Sequence, residues 1–182
     1  QELLKSGFEP NFWRAATDND FAKGIGLAVR AQTWREAGKN RTVKTFQFFK
    51  KGNGVQVKAE FNLATSVPTQ CIISYEILAN GQIEVTQTLV PGEGLPEIPE
   101  IGMMVTLDQT FENITWYGKG PHENYWDRST GAKIGTYSGK VKDQYIPYLK
   151  PQECGNKTEV RWAAITNNEG IGLMINGLPT LE

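Results

Sequence analysis

Between Val55 and Leu63 every second residue is apolar: Val55, Val57, Ala59, Phe61 and Leu63 alternate with Gln56, Lys58, Glu60 and Asn62. A strand turns successive side chains to opposite faces, so a period of two commits this stretch to a β-sheet with one dry and one wet face. The pattern recurs in Cys71, Ile73, Tyr75 and Ile77, halts at Asn80-Gly81 and resumes at Ile83, Val85 and Leu89. Asn-Gly between alternating segments is a strong hairpin signal, because both residues tolerate the positive φ that a tight hairpin turn requires. Upstream, Lys51-Gly52-Asn53-Gly54 reads as a second turn, following an aromatic strand with Phe46, Phe48 and Phe49.

Pro91-Gly92-Glu93-Gly94-Leu95-Pro96, with Pro99, breaks the alternation and predicts a loop crossing from one sheet to another. Strands are expected again at Ile101 to Leu107 and Ile114 to Tyr117. A last hairpin is expected from Val160, Trp162 and Ala164, through turn residues Asn167 to Gly170, to Ile171, Leu173 and Ile175. The stretch from Gly118 to Gly131 is too rich in Gly, Pro, Asn and Asp for a regular element. Only one segment has helical spacing: Leu27, Arg30, Ala31, Trp34 and Ala37 predict about three turns, with Gly38 as a left-handed stop. Residues 1–20 read as an extended entry into the domain. The reading is a mainly β, antiparallel fold with one short helix near the N-terminus, forming a single sandwich domain over 1–182.

Charge narrows the partners. Nineteen Lys and Arg against 20 Asp and Glu leave a formal charge of −1, so no summed field draws nucleic acid or an anionic membrane. The apolar runs are far too short to span a bilayer, and no basic-then-apolar leader opens the chain, which leaves the compartment undecided. Cys71 and Cys154 lack metal-type spacing, and Cys71, in an apolar alternating run, reads as a free buried thiol.

The chemistry concentrates in Trp116-Tyr117-Gly118-Lys119-Gly120-Pro121-His122-Glu123-Asn124-Tyr125-Trp126-Asp127-Arg128, which holds the only histidine. Sugars bind such mixtures, aromatic faces covering C–H surfaces while Asn, Asp, Glu and Arg bond hydroxyls. His122, Glu123, Asn124, Tyr125, Trp126, Asp127 and Arg128 are therefore candidate carbohydrate contacts. The competing reading is an aromatic loop pinned internally by Glu123 or Asp127 against Arg128. Other patterns carry less. Asp18-Asn19-Asp20 lacks the glycine and terminal glutamate of a calcium loop, and Asp20 reads as the cap of a turn. Gly24-Ile25-Gly26 and Gly118-Lys119-Gly120 lack a phosphate-loop frame, and a single histidine with no serine elbow disfavours a triad hydrolase. Asn40, Asn113 and Asn156 sit in sequons that matter only in a glycosylating pathway.

The run WYGKGPHENYWDRSTGAKIGTYSGKV, followed by YIPYLKPQECGNKTEVRW, closely resembles the small-chain domain of the β-galactosidases of glycoside hydrolase family two. FWRAATDND and EIPEIGMMVTL resemble its opening and central segments in the same order, so the likeness runs from about Asn11 to Trp162. It implies an antiparallel supersandwich similar to the galactose-mutarotase fold, placed last in a larger chain whose catalysis lies in a (β/α)-barrel. It also adds Glu153, from the PQE-GN-T cluster, to the candidate sugar contacts. The parent would hydrolyse terminal β-galactosides with retention through two glutamates, both outside the motifs present here, so no catalytic residue is assigned. Magnesium and sodium, as used by the family, would bind in other domains, and no cofactor is expected in this chain.

Three functions compete: a module shaping or stabilising the barrel's rim, an autonomous carbohydrate-binding module, and an aldose epimerase suggested by fold likeness. The epimerase wants more than one positioned histidine and ranks last. The partners expected are the barrel and other domains of the same parent chain, and the β-galactoside through them. The resemblance also implies further strands beyond Thr180, with Leu181-Glu182 as a cloning scar; the exposed edge of a truncated sheet would then pair copies into a homodimer.

Overall fold

The computed structural model describes residues 2–21 and 26–181, with only the backbone path over 178–181. Gly24-Ile25 of the first glycine pattern and Glu182 of the terminal pair lie outside the described residues. Strand makes up 47% and helix 9%, the mainly β composition that the alternation demands. In chain order the elements are β1 (Leu4–Asn11), α1 (Asp18–Phe21), α2 (Leu27–Arg30), β2 (Thr42–Lys51), β3 (Gly54–Asn62), β4 (Gln70–Ile77), β5 (Ile83–Val90), β6 (Gly102–Leu107), β7 (Asn113–Gly120), β8 (Lys133–Lys140), β9 (Val160–Thr166) and β10 (Gly172–Leu181). The strands form two four-stranded sheets, β2-β3-β4-β5 and β10-β9-β7-β8, and a two-stranded ribbon of β1 and β6. The chain divides into two compact units, residues 8–104 and residues 1–7 with 105–182, the boundary falling inside β1 and β6.

In the unit of residues 8–104 the ladders are antiparallel, with β2–β3 and β4–β5 joined by the two turns that the hairpin signals predict; Ala59 opposes Ile73, Val57 opposes Tyr75, and Cys71 opposes Leu89. That register puts the alternating apolar residues on one face, where Ala59, Cys71 and Ile73 are buried. Phe12, Leu27, Ala31, Trp34, Ala37 and Leu63 join Cys71 and Ile73 in one cluster. Burying the larger of these, such as Phe12, Leu27, Leu63 and Ile73, stabilises by about 1.5–3 kcal/mol each. Cys71 is a free thiol, as its sequence setting suggests. Its burial pushes the pKa up to about 11, against the opposing pull of Arg41.

The predicted three-turn helix does not form. Its buried positions are right, since Leu27, Ala31, Trp34 and Ala37 all point into the core. The backbone, however, completes one α-turn and then tightens to 3-10 winding, with the amides of Trp34 and Arg35 donating to the carbonyls of Ala31 and Gln32. Tertiary contacts set this path. Trp34 Nε1 donates to the Pro96 carbonyl at 3.1 Å, and Thr33 Oγ1 accepts the Ser66 amide at 2.8 Å. A stretch this short gains too little from helical propagation to resist such ties. Gly38 is not in the left-handed region, contrary to the expected stop. It is needed because a Cβ there would come within 1.8 Å of the Pro10 carbonyl oxygen.

Within the entry segment, residues 4–11 are strand β1, and Thr17 to Asp20 close a single turn. Asp20 does act as a cap, but of its own turn, accepting the Thr17 amide at 2.7 Å while Arg14 Nη1 binds the same carboxylate at 2.7 Å. Burial pushes the Asp20 pKa up, yet these Arg14 and Thr17 bonds outweigh it and hold the carboxyl at about 2.

In the unit of residues 1–7 and 105–182, β7 lies between β8 and β9, and β9 pairs with β10 in the predicted final hairpin. Trp116 on β7 is buried, donates through Nε1 to the Lys119 carbonyl at 3.0 Å, and packs 5.5 Å from Tyr137 on β8. Strand β8 carries no apolar alternation, only glycines and polar residues around Tyr137, and pairing with β7 defines it. The unpaired polar stretch accordingly starts after Gly120, not at Gly118.

Candidate functional site

Two loops of the unit of residues 1–7 and 105–182 converge. The first leaves β7 through a cis Gly120-Pro121 peptide and carries His122 to Arg128 before β8. The second precedes β9 and carries Glu153 to Glu159. These are the GP-ENY-DR and PQE-GN-T clusters, and hydrogen bonds join them into one structure.

Asn124 is the pin. It is 1% exposed, and its Oδ1 accepts the Thr158 amide at 2.9 Å and the Thr158 hydroxyl at 2.6 Å. Its Nδ2 donates to the His122 carbonyl at 3.0 Å, fixing the turn of its own loop. The backbones cross-link as well: the Asn124 amide donates to the Asn156 carbonyl at 2.9 Å, and Asn156 Nδ2 donates back to the Asn124 carbonyl at 3.1 Å. A polar side chain this buried is tolerated because each of its groups is satisfied.

Glu123, its side chain 10% exposed, accepts the Gly155 amide at 2.6 Å and pairs with Arg128 at 3.1 Å. Gly155 has φ +83, and a Cβ there would meet the Gln144 carbonyl oxygen at 2.8 Å, so only glycine offers its amide in this way. Arg128 donates to the Tyr148 hydroxyl at 3.1 Å and lies 4.4 Å from the centroid of Tyr125 and 5.7 Å from that of Tyr148. The internal Glu123 to Arg128 network weighed from the sequence is therefore present. Tyr148, Asn156 and Thr158 were not singled out as site residues; Asn156 and Thr158 lie in the PQE-GN-T motif, but nothing in the spacing of Tyr148 marks it as a partner of Arg128.

Burial pushes the Tyr125 phenol up to about 12, aided by Glu153 and Glu123 and opposed by the Asn156 amide and Arg128. The Tyr125 hydroxyl is buried without a hydrogen-bond partner of good geometry. Lys157 is held below the usual lysine range by burial, countered by Glu123, and its ammonium stands 5.2 Å from the Trp116 ring centroid. Beside it, Glu159 adopts φ 53, an uncommon conformation for a residue with a Cβ, and pairs with Lys119 at 2.6 Å.

The remaining candidates face outward. Trp126 is 90% exposed, His122 and Asp127 are exposed, and Glu153 is half-buried. The site thus combines a pinned base of Glu123, Asn124, Tyr125 and Arg128 with an open rim of His122, Trp126 and Asp127. Among the described residues, no group of three or more His, Cys, Asp or Glu is arranged to hold a metal ion.

The family model described as "Beta galactosidase small chain" matches residues 1–180. The chain belongs to the β-galactosidase small-chain family. Within this family it is 52% identical, over 181 residues and all of its length, to a β-galactosidase of Priestia megaterium. It is 33% identical over 178 residues, 96% of its length, to one of Halalkalibacterium halodurans. It is 35% identical over 170 residues, 93% of its length, to one of Lactobacillus delbrueckii subsp. bulgaricus. The chain spans about 17% of the length of each of these relatives, so it corresponds to one domain of a larger chain.

Proposed function

We propose that this small-chain domain is a non-catalytic part of a β-galactosidase, and that it shapes and stabilises the rim of a catalytic barrel elsewhere in that chain. The parent would hydrolyse terminal β-galactosides, drawing its two catalytic glutamates and its metal ions from other domains. One observation carries this reading: the polar groups that a sugar would need are engaged in holding two loops together. Asn124 satisfies its amide on Thr158 and His122, while Glu123 divides its carboxylate between Gly155 and Arg128. A retaining glycosidase needs two carboxyls about 5 Å apart and free to act as nucleophile and acid. Glu123 is instead committed as an acceptor.

The test has two arms. The purified 182-residue chain should not turn over a chromogenic β-galactoside, and the full-length enzyme without this domain should lose activity. Turnover by the chain alone, abolished by one Glu substitution, would overturn the reading, as would an enzyme whose kcat survives removal of the domain.

A second reading rests on Trp126. An indole this exposed, next to Asp127 on a loop held rigid from below, suits stacking on the apolar face of a pyranose. Calorimetric titration of the chain with galactose, with Trp126→Ala as control, separates the two: binding lost in that variant favours an autonomous sugar site.

A further inference from the structure

Asparagine precedes glycine at three places in the chain: Asn53-Gly54, Asn80-Gly81 and Asn176-Gly177. The pair is chemically labile, because a glycine amide has no side chain beside it to shield the approach to the carboxamide carbon. The fold holds the three pairs differently. Asn80 is tied at both ends of its amide, Oδ1 accepting the Gln82 amide at 3.0 Å and Nδ2 donating to Gln82 Oε1 at 2.7 Å, while the Gly81 amide donates to the Leu78 carbonyl at 3.0 Å. Asn176 lies within β10 opposite Trp162, where an extended backbone directs amides along the sheet and side chains off it.

Asn53 is neither tied nor set in a ladder. It is exposed, and among the described residues its side chain makes no hydrogen bond. Its turn is also built differently from the usual Asn-Gly hairpin: Gly52, with φ +57, and Asn53 are the two turn residues, and Gly54 already opens β3. Gly54 is glycine for another reason, since a Cβ there would come within 2.3 Å of the Ile77 carbonyl oxygen. The close approach of the end of β4 therefore keeps a glycine behind Asn53. Gly54 opposes Lys51 in the last pair of the β2-β3 ladder, so fraying of that one pair frees its amide.

We propose that Asn53 is a site of spontaneous covalent modification, converting to aspartate and isoaspartate through a cyclic imide while Asn80 and Asn176 stay intact far longer. The Gly54 nitrogen attacks the Asn53 carboxamide carbon and forms an N–Cγ bond; the Cγ–Nδ2 bond breaks, and Nδ2 leaves as ammonia with the proton that Gly54 loses. Water then adds to one of the two imide carbonyls. Opening at Cγ restores the main chain and leaves aspartate, whereas opening at the α-carbonyl leaves the chain running through Cγ, one methylene longer. Either product puts a carboxylate in place of a neutral amide, in a turn whose neighbour Lys51 pairs with Glu76 at 2.7 Å. The isoaspartyl form also lengthens the turn, so the two-residue geometry that closes the Lys51-Gly54 pair is lost.

Peptide mapping by mass spectrometry after incubation at mildly alkaline pH tests this, on the native protein and on the protein unfolded in guanidinium. In the native protein the Asn53 peptide should convert about tenfold faster than the Asn80 and Asn176 peptides, and in guanidinium the three rates should draw together. Conversion should speed up as pH rises, since the attacking nitrogen must give up its proton. Asn53→Gln, whose longer side chain closes an imide far more slowly, should remove the acidic species that the ageing native protein yields on anion exchange and leave the melting temperature where it was. Native conversion led by Asn80 or Asn176, equal at all three, or absent at Asn53 while the unfolded protein converts, overturns the proposal.

Discussion

Residues 27–37 and residues 122–128 are both irregular segments, yet they are held by opposite means. The first is fixed chiefly by apolar side chains: Leu27, Ala31, Trp34 and Ala37 are all buried, and hydrogen bonds to Pro96 and Ser66 set only its winding. The second is fixed by hydrogen bonds around one buried amide, while its largest side chain, Trp126, lies in solvent. Apolar burial is non-directional and tolerates more than one backbone path, which is why a predicted helix could become 3-10 winding without losing its contacts. A hydrogen-bonded pin tolerates almost no change, because each partner it abandons is left buried and unsatisfied.

Substitutions can sharpen or break this contrast. The largest effect is expected from Trp34→Ala, which opens a cavity in the core of the unit of residues 8–104 and should cost about 3–5 kcal/mol in chemical denaturation. Asn124→Ala should cost about 2–3 kcal/mol, since the Thr158 amide and hydroxyl lose their acceptor; Asn124→Asp, which keeps an acceptor for both, should recover part of it. A smaller loss than in Arg128→Ala would mean that the loop is not pinned at Asn124.

Asp20→Asn should cost about 1–2 kcal/mol near neutrality by weakening a charge-assisted cap. Because the folded carboxyl is depressed from 3.8 to about 2, its contribution is present above pH about 4 and fades as pH falls to about 2. Acid titration of the two proteins should therefore converge in that window, and parallel curves would remove Asp20 from the account. Arg128→Ala should cost about 1 kcal/mol, less than its contacts suggest, because its side chain is 44% exposed and its ion pair is partly screened. Tyr125→Phe is the smallest change: it deletes an unpartnered hydroxyl, and a neutral or slightly raised melting temperature is expected.

What the sequence disclosed follows the same division. Alternation at Val55 to Leu63, Cys71 to Ile77 and Ile83 to Leu89 showed the buried face of three strands, and Asn80-Gly81 the turn between two of them, because a pleated surface maps directly onto a period of two. Strand β8 escaped because Gly135 and Gly139 face the same side as Tyr137, leaving no apolar row to read. The helix failed because Leu27, Ala31, Trp34 and Ala37 report which side is buried, whereas the winding depends on Pro96 and Ser66, far away in the chain. At the site, composition located His122 to Arg128, and the resemblance added Glu153. Nothing local to Asn124 could show that Thr158, 34 residues on, would fill its oxygen.

The contrast between the two cysteines has a practical side. A thiol reacts as its thiolate, and Cys71, fully enclosed with its pKa near 11, offers almost none at neutral pH. Cys154 is partly accessible and precedes Gly155, whose amide grips Glu123. A maleimide fluorophore added to the native protein would therefore settle on Cys154 alone, and its emission would follow the junction of the two loops without any engineered attachment point.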